Sequence, residues 1–437
     1  MQKVRLHNKI LFLALAAVAF TGCKKDFSNP NETPRDVVFN NPTTAAAAAV
    51  GVQRNYSIGQ ASSLFAIVDA NGLLSYELIL MNAGNIGEFQ FSTGGAAVDG
   101  TNNVVNNIWS NSSKVIFDAD NVLRYANASP DKAYASGLIA YVSIYKALAL
   151  GNLSMFFEKV PDTIGVANAP FISRTDGYKK AVAVLDYAIN FYNTNAPNTT
   201  VLSRLPTDIN FINTLYALKA RYALFAGDYG TALAAANLVD LTKRSVMNFN
   251  SQALNPIFES ATNTNNVFQV VDSTFGLPVA IAPDLNDGRI KFHARIKNPT
   301  EANPRWRING FYSNGATGVP IFLPGEIILI KAEALAKQAT PDLNAALTEL
   351  NKVVTKQASQ DIYGIGANLP AIAGPLNQTE LITEIYRNRS IELYMTGMRL
   401  EDQRRLNRPA GERKRSNLPY PFRERDNNTN TPADPAF

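Results

Sequence analysis

Residues 212–240 constrain the fold of this chain more than any other stretch of its sequence. They read INTLYALKARYALFAGDYGTALAAANLVD, with two apolar stretches of helical spacing on either side of a Gly-Asp-Tyr break. This pattern predicts two helices joined by a short turn. Ala217, Ala220 and Ala223 leave room for a neighbouring helix to approach closely. Since such a pair cannot bury its apolar face alone, the segment favours a fold of stacked helix pairs.

Other segments repeat the helical pattern. In residues 131–153 apolar side chains recur three and four positions apart, and residues 324–354 contain two helical stretches around a Thr-Pro-Asp-Leu turn. Residues 379–406 read as a long helix with one interruption, and residues 43–58 would pair with 104–126. The pairs are degenerate and far apart in sequence, so we do not expect a regular solenoid.

Three regions between these segments lack helical spacing: 82–103, 155–175 and 241–323. Long loops inside a compact protein are usually functional. We therefore predict a helix-pair scaffold over about 36–240 and 324–406. The ligand-binding region is expected in the loops and hairpins of 82–103 and 241–323.

The N-terminus has the features of a secretory signal. Residues 1–9 carry three basic side chains and no acidic one, and residues 10–20 form an unbroken apolar stretch. This stretch has the length of a signal peptide and is too short to span a bilayer. Thr21 and Gly22 then lead into Cys23, the only cysteine of the chain.

The position of Cys23 is similar to that of the cysteine in a bacterial lipobox, except that Phe20 stands where Leu, Val or Ile is usual. We therefore expect a signal peptide over 1–22 and acyl chains on Cys23 that anchor the protein in a membrane. A polar tether would follow over 23–35, and the folded domain would span 36–437. An ordinary secretory signal with an incidental cysteine is the alternative.

Charge and composition argue against several functions. Removal of residues 1–22 deletes three of the 41 basic residues and none of the 36 acidic ones. The formal charge falls from +5 to +2, so nucleic-acid binding has little support. His293 is then the only histidine and Cys23 is acylated, which makes catalytic triads and histidine-rich zinc sites hard to assemble. Residues 282–289 contain several Asp and Asn residues close together, but they lack the spacing of an EF-hand calcium loop, so we expect a turn there.

We accordingly expect no catalytic residue, no metal and no cofactor. A carboxylate pair for glycoside hydrolysis stays open at this stage, because the separation of two carboxylates is a three-dimensional quantity.

The C-terminal third contains three ordered stretches: IILIKAEALA at 327–336, RNRSIELYMTGMRLEDQRRL at 387–406 and LPYPFRERDNN at 418–428. Together they resemble the SusD/RagB family of Bacteroidetes surface lipoproteins. Thr396 replaces the usual acidic residue before the glycine, and Gln403 replaces Leu. The matching positions are Arg389, Glu392, Leu393, Gly397, Arg399, Asp402, Arg404, Arg405, Pro419, Pro421, Glu424 and Asn428.

This resemblance implies a mostly α, SusD-like fold of four degenerate tetratricopeptide-like helix pairs, with long loops and a few short β-hairpins forming the ligand face. It also implies a non-catalytic lipoprotein on the outer face of the outer membrane. Such a protein captures oligosaccharides, or peptides in some branches, and delivers them to a SusC-like TonB-dependent transporter. Two alternatives stay open, a lipid-anchored glycoside hydrolase and a helical-repeat envelope scaffold without a small ligand.

The arginine-rich stretch at 387–406 also has a purely physical interpretation. Arg389 and Glu392 stand three residues apart on a helix and can face the same neighbour. Arg399 and Asp402 follow the break that a glycine permits. We predict that these four side chains form a structural ionic network that sets how the last helices dock.

Candidate ligand-binding residues lie first in RWRINGFYS, 305–313. The Asn309-Gly310 pair predicts a hairpin turn. Alternation would put Trp306 on one face, and Arg305, Arg307 and Tyr312 on the other. Either Trp306 contacts the ligand, or its face is core and the other three residues are exposed.

A second candidate is the Gly- and Asn-rich stretch 82–103, in which Phe89 and Phe91 alternate with polar residues. These rings would either face a ligand or lie tucked into an edge hairpin. Trp109 is expected to pack inside the first helix pair. Because two tryptophans are few for a sugar platform, a peptide ligand stays possible.

Overall fold

The structure is a computed structural model that describes residues 35–263 and 266–437. The predicted signal peptide and Cys23 lie outside the described residues. Helices of six residues or more are labelled α1 to α14, and strands β1 to β8.

The first half of the chain is almost entirely helical. Its helices are α1 (Pro42–Ser57), α2 (Ser63–Leu74), α3 (Ile86–Thr93), α4 (Asn103–Ala128), α5 (Lys132–Phe156), α6 (Arg174–Thr194), α7 (Phe211–Phe225) and α8 (Tyr229–Asn237). Most begin at a side chain that accepts a hydrogen bond from a free backbone N–H of the first turn, which is the usual N-cap chemistry. Examples are Asn41, Ser62, Asn102 and Asp131.

The second half mixes helices with short strands. Its helices are α9 (Gly288–His293), α10 (Pro324–Lys337), α11 (Leu343–Val354), α12 (Gln378–Glu392), α13 (Arg399–Arg405) and α14 (Phe422–Asn427). Within the described residues the strands are β1 (Leu78–Leu80), β2 (Lys159–Pro161), β3 (Phe171–Ser173), β4 (Val246–Met247), β5 (Phe268–Val270), β6 (Ala294–Ile296), β7 (Trp306–Ile308) and β8 (Val319–Pro320).

The long helices stack in sequence. Each of α4 to α7 packs on the next helix along the chain, α8 packs on α10, and α10 packs on both α11 and α12. Helix α5 lies at the centre: it is long and apolar enough to cross a membrane, but 83% of its apolar window is buried within the fold. The prediction of a mostly α fold built from helix pairs is therefore confirmed, and the expected first pair, α1 with α4, is in contact.

Small residues allow these helices to approach one another. Ala217, Ala220 and Ala223 are buried on α7, as their spacing predicts. A Cβ atom at Gly151 on α5 would lie 2.2 Å from the ring of Tyr222 on α7. Because that distance is shorter than any real contact, a larger residue at this position would push the two helices apart.

The strands form four separate antiparallel pairs, β1 with β5, β2 with β3, β4 with β8 and β6 with β7. Their partners are far apart in the chain, apart from β2–β3 and β6–β7. These pairs tie the long connections to the helical scaffold, so the connections have defined positions.

Two local predictions are corrected by the structure, and a third is confirmed. The stretch 82–103 contains helix α3, whereas it was expected to be a loop or hairpin. Asn309-Gly310 does not turn a hairpin, because β7 pairs with the upstream β6 and residues Gly310–Tyr312 form a 3₁₀ turn. The predicted interruption of the helix at 379–406 is confirmed, because the helix stops at Glu392 and resumes at Arg399, and Gly397 between them has φ 83°.

Candidate ligand-binding cleft

A cleft of about 620 Å³ lies where the β4–β8 pair, helix α9 and two loops meet. This volume is in the range of small-ligand sites. Its lining residues are Thr207, Asp208, Arg244, Val246, Asn248, Phe292, Gly310, Phe311, Thr317, Gly318, Ile362 and Tyr363.

Three half-buried aromatic rings form the inner surface of the cleft. The ring centroids of Phe292 and Phe311 are 5.2 Å apart, and those of Phe311 and Tyr363 are 5.8 Å apart, both in edge-to-face arrangements. Each ring therefore supports the next and keeps part of its surface accessible. Apolar faces held in this way can pack against the C–H surfaces of a sugar.

The rim of the cleft is polar and exposed. The guanidinium carbon of Arg244 lies 5.1 Å from the centroid of Tyr363. The side-chain amide of Asn248 donates a hydrogen bond to the Asp208 carboxylate. The rim thus combines one cation, one carboxylate and one amide, which are groups that can order the hydroxyls of a ligand.

Local contacts fix the Tyr363 wall. The Tyr363 hydroxyl accepts a hydrogen bond of 3.2 Å from the backbone N–H of Ser245, and its own backbone N–H donates to Asp361 at 2.8 Å. Burial raises the pKa of Tyr363, so its hydroxyl stays protonated at neutral pH. The ring is therefore held from both ends.

The wall that carries Phe311 depends on a glycine and a buried asparagine. Gly310 has φ 64°, and a Cβ atom there would lie 2.9 Å from the Phe292 ring, so glycine suits both the backbone conformation and the close approach to Phe292. The buried amide of Asn255 donates to the carbonyl oxygens of Phe311 at 2.9 Å and Thr317 at 3.0 Å. This amide therefore fixes the backbone at two points of the cleft lining, Phe311 and Thr317.

Two residues predicted to contact a ligand are buried instead. Tyr312 is 4% exposed, and its hydroxyl donates to the carbonyl oxygen of Met395 at 2.8 Å. Phe91 is fully buried on α3. The prediction of Tyr312 as an exposed residue is wrong because the 3₁₀ turn after β7 directs its side chain into the core.

The other predicted ligand residues lie outside the cleft lining. Arg305 and Phe89 are exposed, whereas Trp306, Arg307 and Asn309 are half-buried. The Arg307 guanidinium donates to the side chain of Asn266 at 2.7 Å, and the Asn309 amide donates to the carbonyl of Lys291 at 3.1 Å. Their contact with a ligand stays a prediction.

Two of the three aromatic residues of the cleft were not singled out from the sequence, Phe292 in KFHARIK and Tyr363 in DIYGIG. Neither stands in a motif. The one available signal was their aromatic character: Phe292 lies in the segment 241–323, which lacks helical spacing, and Tyr363 lies between the helical stretches 324–354 and 379–406.

The four residues of the predicted ionic network form buried ion pairs, but not a single closed network. Arg389 bonds to Asp402 at 2.8 Å, and Arg399 lies 3.4 Å from Glu77. The expectation that Arg389 and Glu392 face one neighbour is wrong, because Glu392 contacts residues of other segments instead.

A second cleft, of about 540 Å³, lies between α4, the β2–β3 connection and α14. Trp109 borders it but is only 5% exposed. Its ring packs edge-on against Phe157 at 4.6 Å, and its indole N–H donates to Glu424 at 3.1 Å. Trp109 is thus a core residue, as predicted, and it offers no open aromatic face.

Within the described residues, no group of three or more His, Cys, Asp and Glu side chains could hold a metal ion. In the Asp- and Asn-rich stretch 282–289, Asp287 bonds to Arg289, and Asp284 accepts a hydrogen bond from the backbone N–H of Asn286. This stretch is a turn that leads into α9.

Comparisons with known proteins place this architecture in one structural class. The sequence matches no family model and no curated protein. In structure, however, the stack of helix pairs with long connections between them is similar to that of many solved proteins.

Several of these solved structures are named as SusD superfamily or SusD-like proteins. A SusD homologue from Bacteroides thetaiotaomicron superposes with a TM-score of 0.71 at 14% identity, over 94% of this chain and all of the other. A SusD superfamily protein from the same organism gives 0.69 at 15% identity, over 90% and 100%. A laminarin-binding SusD-like protein gives 0.60 at 16% identity, over 91% and 99%. The chain therefore has the SusD fold, as the C-terminal motifs led us to expect.

Proposed function

We propose that this protein is a non-catalytic binding protein that captures a neutral oligosaccharide in the cleft formed by Phe292, Phe311 and Tyr363. The observation that carries the proposal is the chemistry of that cleft, in which three half-buried rings lie beneath a rim of amide, carboxylate and guanidinium groups. Apolar faces and directional polar groups are the two features that sugar recognition needs.

The names of similar structures support a glycan ligand. Several are described as SusD-like carbohydrate-binding proteins, and one as laminarin-binding. At 13–17% identity this likeness concerns the fold, so the ligand of this chain is a matter for experiment.

The cleft favours binding over hydrolysis. Among the described residues that line it, Asp208 supplies the only carboxylate, whereas most glycoside hydrolases use two. The Asp208 carboxylate also accepts a hydrogen bond from Asn248, which suits a group that orders hydroxyls.

We further propose that the protein is anchored by lipid on Cys23 at the outer face of the outer membrane and delivers its ligand to a SusC-like TonB-dependent transporter. The anchor is supported by the signal sequence and the single cysteine. The location and the transporter are supported by the resemblance of the C-terminal third to the SusD/RagB family.

The proposal is tested with soluble protein that lacks residues 1–23. Fragments of laminarin, starch and mannan, and a peptide mixture, would be titrated by calorimetry. We expect saturable binding of at least one glycan and no release of reducing sugar. Binding of peptides alone would contradict the glycan ligand, and turnover of a glycan would indicate a hydrolase.

A further inference from the structure

Glu392 ends helix α12 and is fully buried. One carboxylate oxygen accepts a hydrogen bond from the Lys356 ammonium at 2.7 Å, and the other accepts one from the Arg289 guanidinium at 3.3 Å. The carboxylate is closely surrounded, since a Cβ atom at Gly325 would lie 1.9 Å from it. Glu392 therefore joins two cations that come from different parts of the chain.

The first cation, Arg289, belongs to the wall of the cleft that carries Phe292. Arg289 lies on α9, three residues before Phe292, so the two side chains share one short helix. Arg289 is also held by the Asp287 carboxylate at 2.7 Å and the Asn388 amide oxygen at 2.9 Å. Its contacts with α12 thus set the position of the helix that presents Phe292.

The second cation, Lys356, is linked to the wall of the cleft that carries Tyr363. The Lys356 ammonium contacts Asp361 at 2.7 Å, and Asp361 accepts the backbone N–H of Tyr363 at 2.8 Å. Burial opposes the charge of Lys356, but the carboxylates of Glu392 and Asp361 outweigh it and raise the Lys356 pKa. Lys356 is therefore charged at neutral pH and links Glu392 to the Tyr363 loop.

The two walls also meet directly. The backbone N–H of Gly288, at the start of α9, donates to the carbonyl of Ala367 at 2.9 Å. A Cβ atom at Gly288 would lie 2.5 Å from the carbonyl oxygen of Gly366. The walls are thus in close contact behind the cleft, and Glu392 binds a cation from each of them.

From these contacts we propose that Glu392 is a positioning residue that fixes the separation of the Phe292 and Tyr363 walls and so prepares the cleft for its ligand. The ion pairs alone support the fixed separation of the two walls, whereas the effect on ligand binding also rests on the proposed function.

The test compares Glu392→Gln with Glu333→Gln. Glu333 is a matched control because it is also fully buried and bonded to an arginine, Arg405, but its ion pair joins α10 to α13 and not the two walls of the cleft. Amide hydrogen exchange is measured in the full-length folded domain of each variant, at a temperature where both variants are folded. We expect exchange at least tenfold faster at 288–293 and 361–365 in Glu392→Gln only. Unchanged exchange there, or equal acceleration in the control, would overturn the proposal.

A second variant covers the case in which Glu392→Gln does not fold. Asp361→Asn keeps an acceptor for the Tyr363 N–H but removes the charge that Lys356 contacts. Faster exchange confined to 361–365 is expected, and wild-type exchange would overturn the proposal.

Ligand binding separates this inference from the proposed function. With laminarin fragments as the probe, we expect Glu392→Gln to weaken binding at least fivefold and Glu333→Gln less than twofold. If Phe292→Ala abolishes binding but Glu392→Gln leaves it intact, the positioning role fails and the proposed function stands. If Phe292→Ala binds as wild type, the cleft is not the site, whatever the exchange data show for the walls.

Discussion

His293 is enclosed by aromatic rings behind the cleft. Its imidazole lies 5.0 Å from Phe292, 5.6 Å from Tyr394 and 6.0 Å from Phe275, measured between ring centroids. Burial, together with the positive charge of Arg289, lowers the pKa of His293 to about 3. The side chain is therefore neutral at pH 7, and it packs against these rings.

The buried His293 predicts a pH dependence of stability. Its pKa is lower in the folded state than in the unfolded state, so the unfolded state binds more protons below pH 6.5 and stability falls as the pH falls. Between pH 7 and pH 4.5 the loss from this residue is about 3 kcal/mol. Urea denaturation should show a smaller loss over that range in His293→Gln. Equal losses in the two proteins would contradict the assignment.

Phe89 and Phe91 show why side-chain exposure was harder to predict than chain segments. Their alternation with polar residues suggested a strand, in which both rings lie on one face. The segment is helical, and residues two apart on a helix point in roughly opposite directions. As a result Phe91 is fully buried and Phe89 is 46% exposed. Eight residues are too few for periodicity to separate the two cases.

At the scale of elements, the break between α12 and α13 determines how the last helices dock. Gly397 has φ 83°, and its carbonyl accepts a hydrogen bond of 2.7 Å from Asn71 on α2. A Cβ atom at Gly397 would lie 2.3 Å from the Ile67 side chain. The glycine therefore serves both the backbone turn and a close contact with α2.

Gly397→Ala is expected to destabilise the fold by about 3 kcal/mol, through backbone strain and the contact with Ile67. Gly227→Ala is the matched control, because Gly227 has φ 80° but open space around its Cβ position. Strain alone should cost the control about 1 kcal/mol. Thermal denaturation measures both, and equal losses would show that contact with α2 does not matter.

The helix pair of residues 212–240 could be predicted from sequence, and the cleft could not. Helical spacing in 212–240 is a local signal, and α7 and α8 occur where it predicts them. The cleft joins residues near 208, 244, 292, 311 and 363, and contacts such as the β4–β8 pair bring them together. No local pattern records such pairings, so Phe292 and Tyr363 carried no signal beyond their aromatic character.

At the scale of the whole molecule, the C-terminal motifs predicted the SusD fold because they are structural. Arg389 and Asp402 form a buried ion pair between α12 and α13, and Arg405 of α13 forms an ion pair with Glu333 of α10. Such contacts define how helices pack and carry no information about the ligand. The fold was therefore accessible from these residues, whereas the ligand was not.

The proposed membrane anchor yields a prediction for the intact protein. Wild-type protein expressed in a Bacteroidetes host should incorporate labelled palmitate and sediment with outer membranes. Cys23→Ser should do neither, because the acylated thiol is absent. A Cys23→Ser protein that still sediments with membranes would contradict the lipid anchor.

The aromatic cleft is the proposed glycan site, and calorimetry with the soluble wild type and two variants tests this proposal most directly. Wild type, Tyr363→Ala and Phe89→Ala would be titrated with the glycan found by screening, beginning with laminarin fragments. Phe89 is the control because it is exposed and aromatic but lies outside the cleft lining. We predict at least tenfold weaker binding for Tyr363→Ala and a change below twofold for Phe89→Ala. Wild-type affinity in Tyr363→Ala, with binding lost in Phe89→Ala, would contradict the account and place the site on α3.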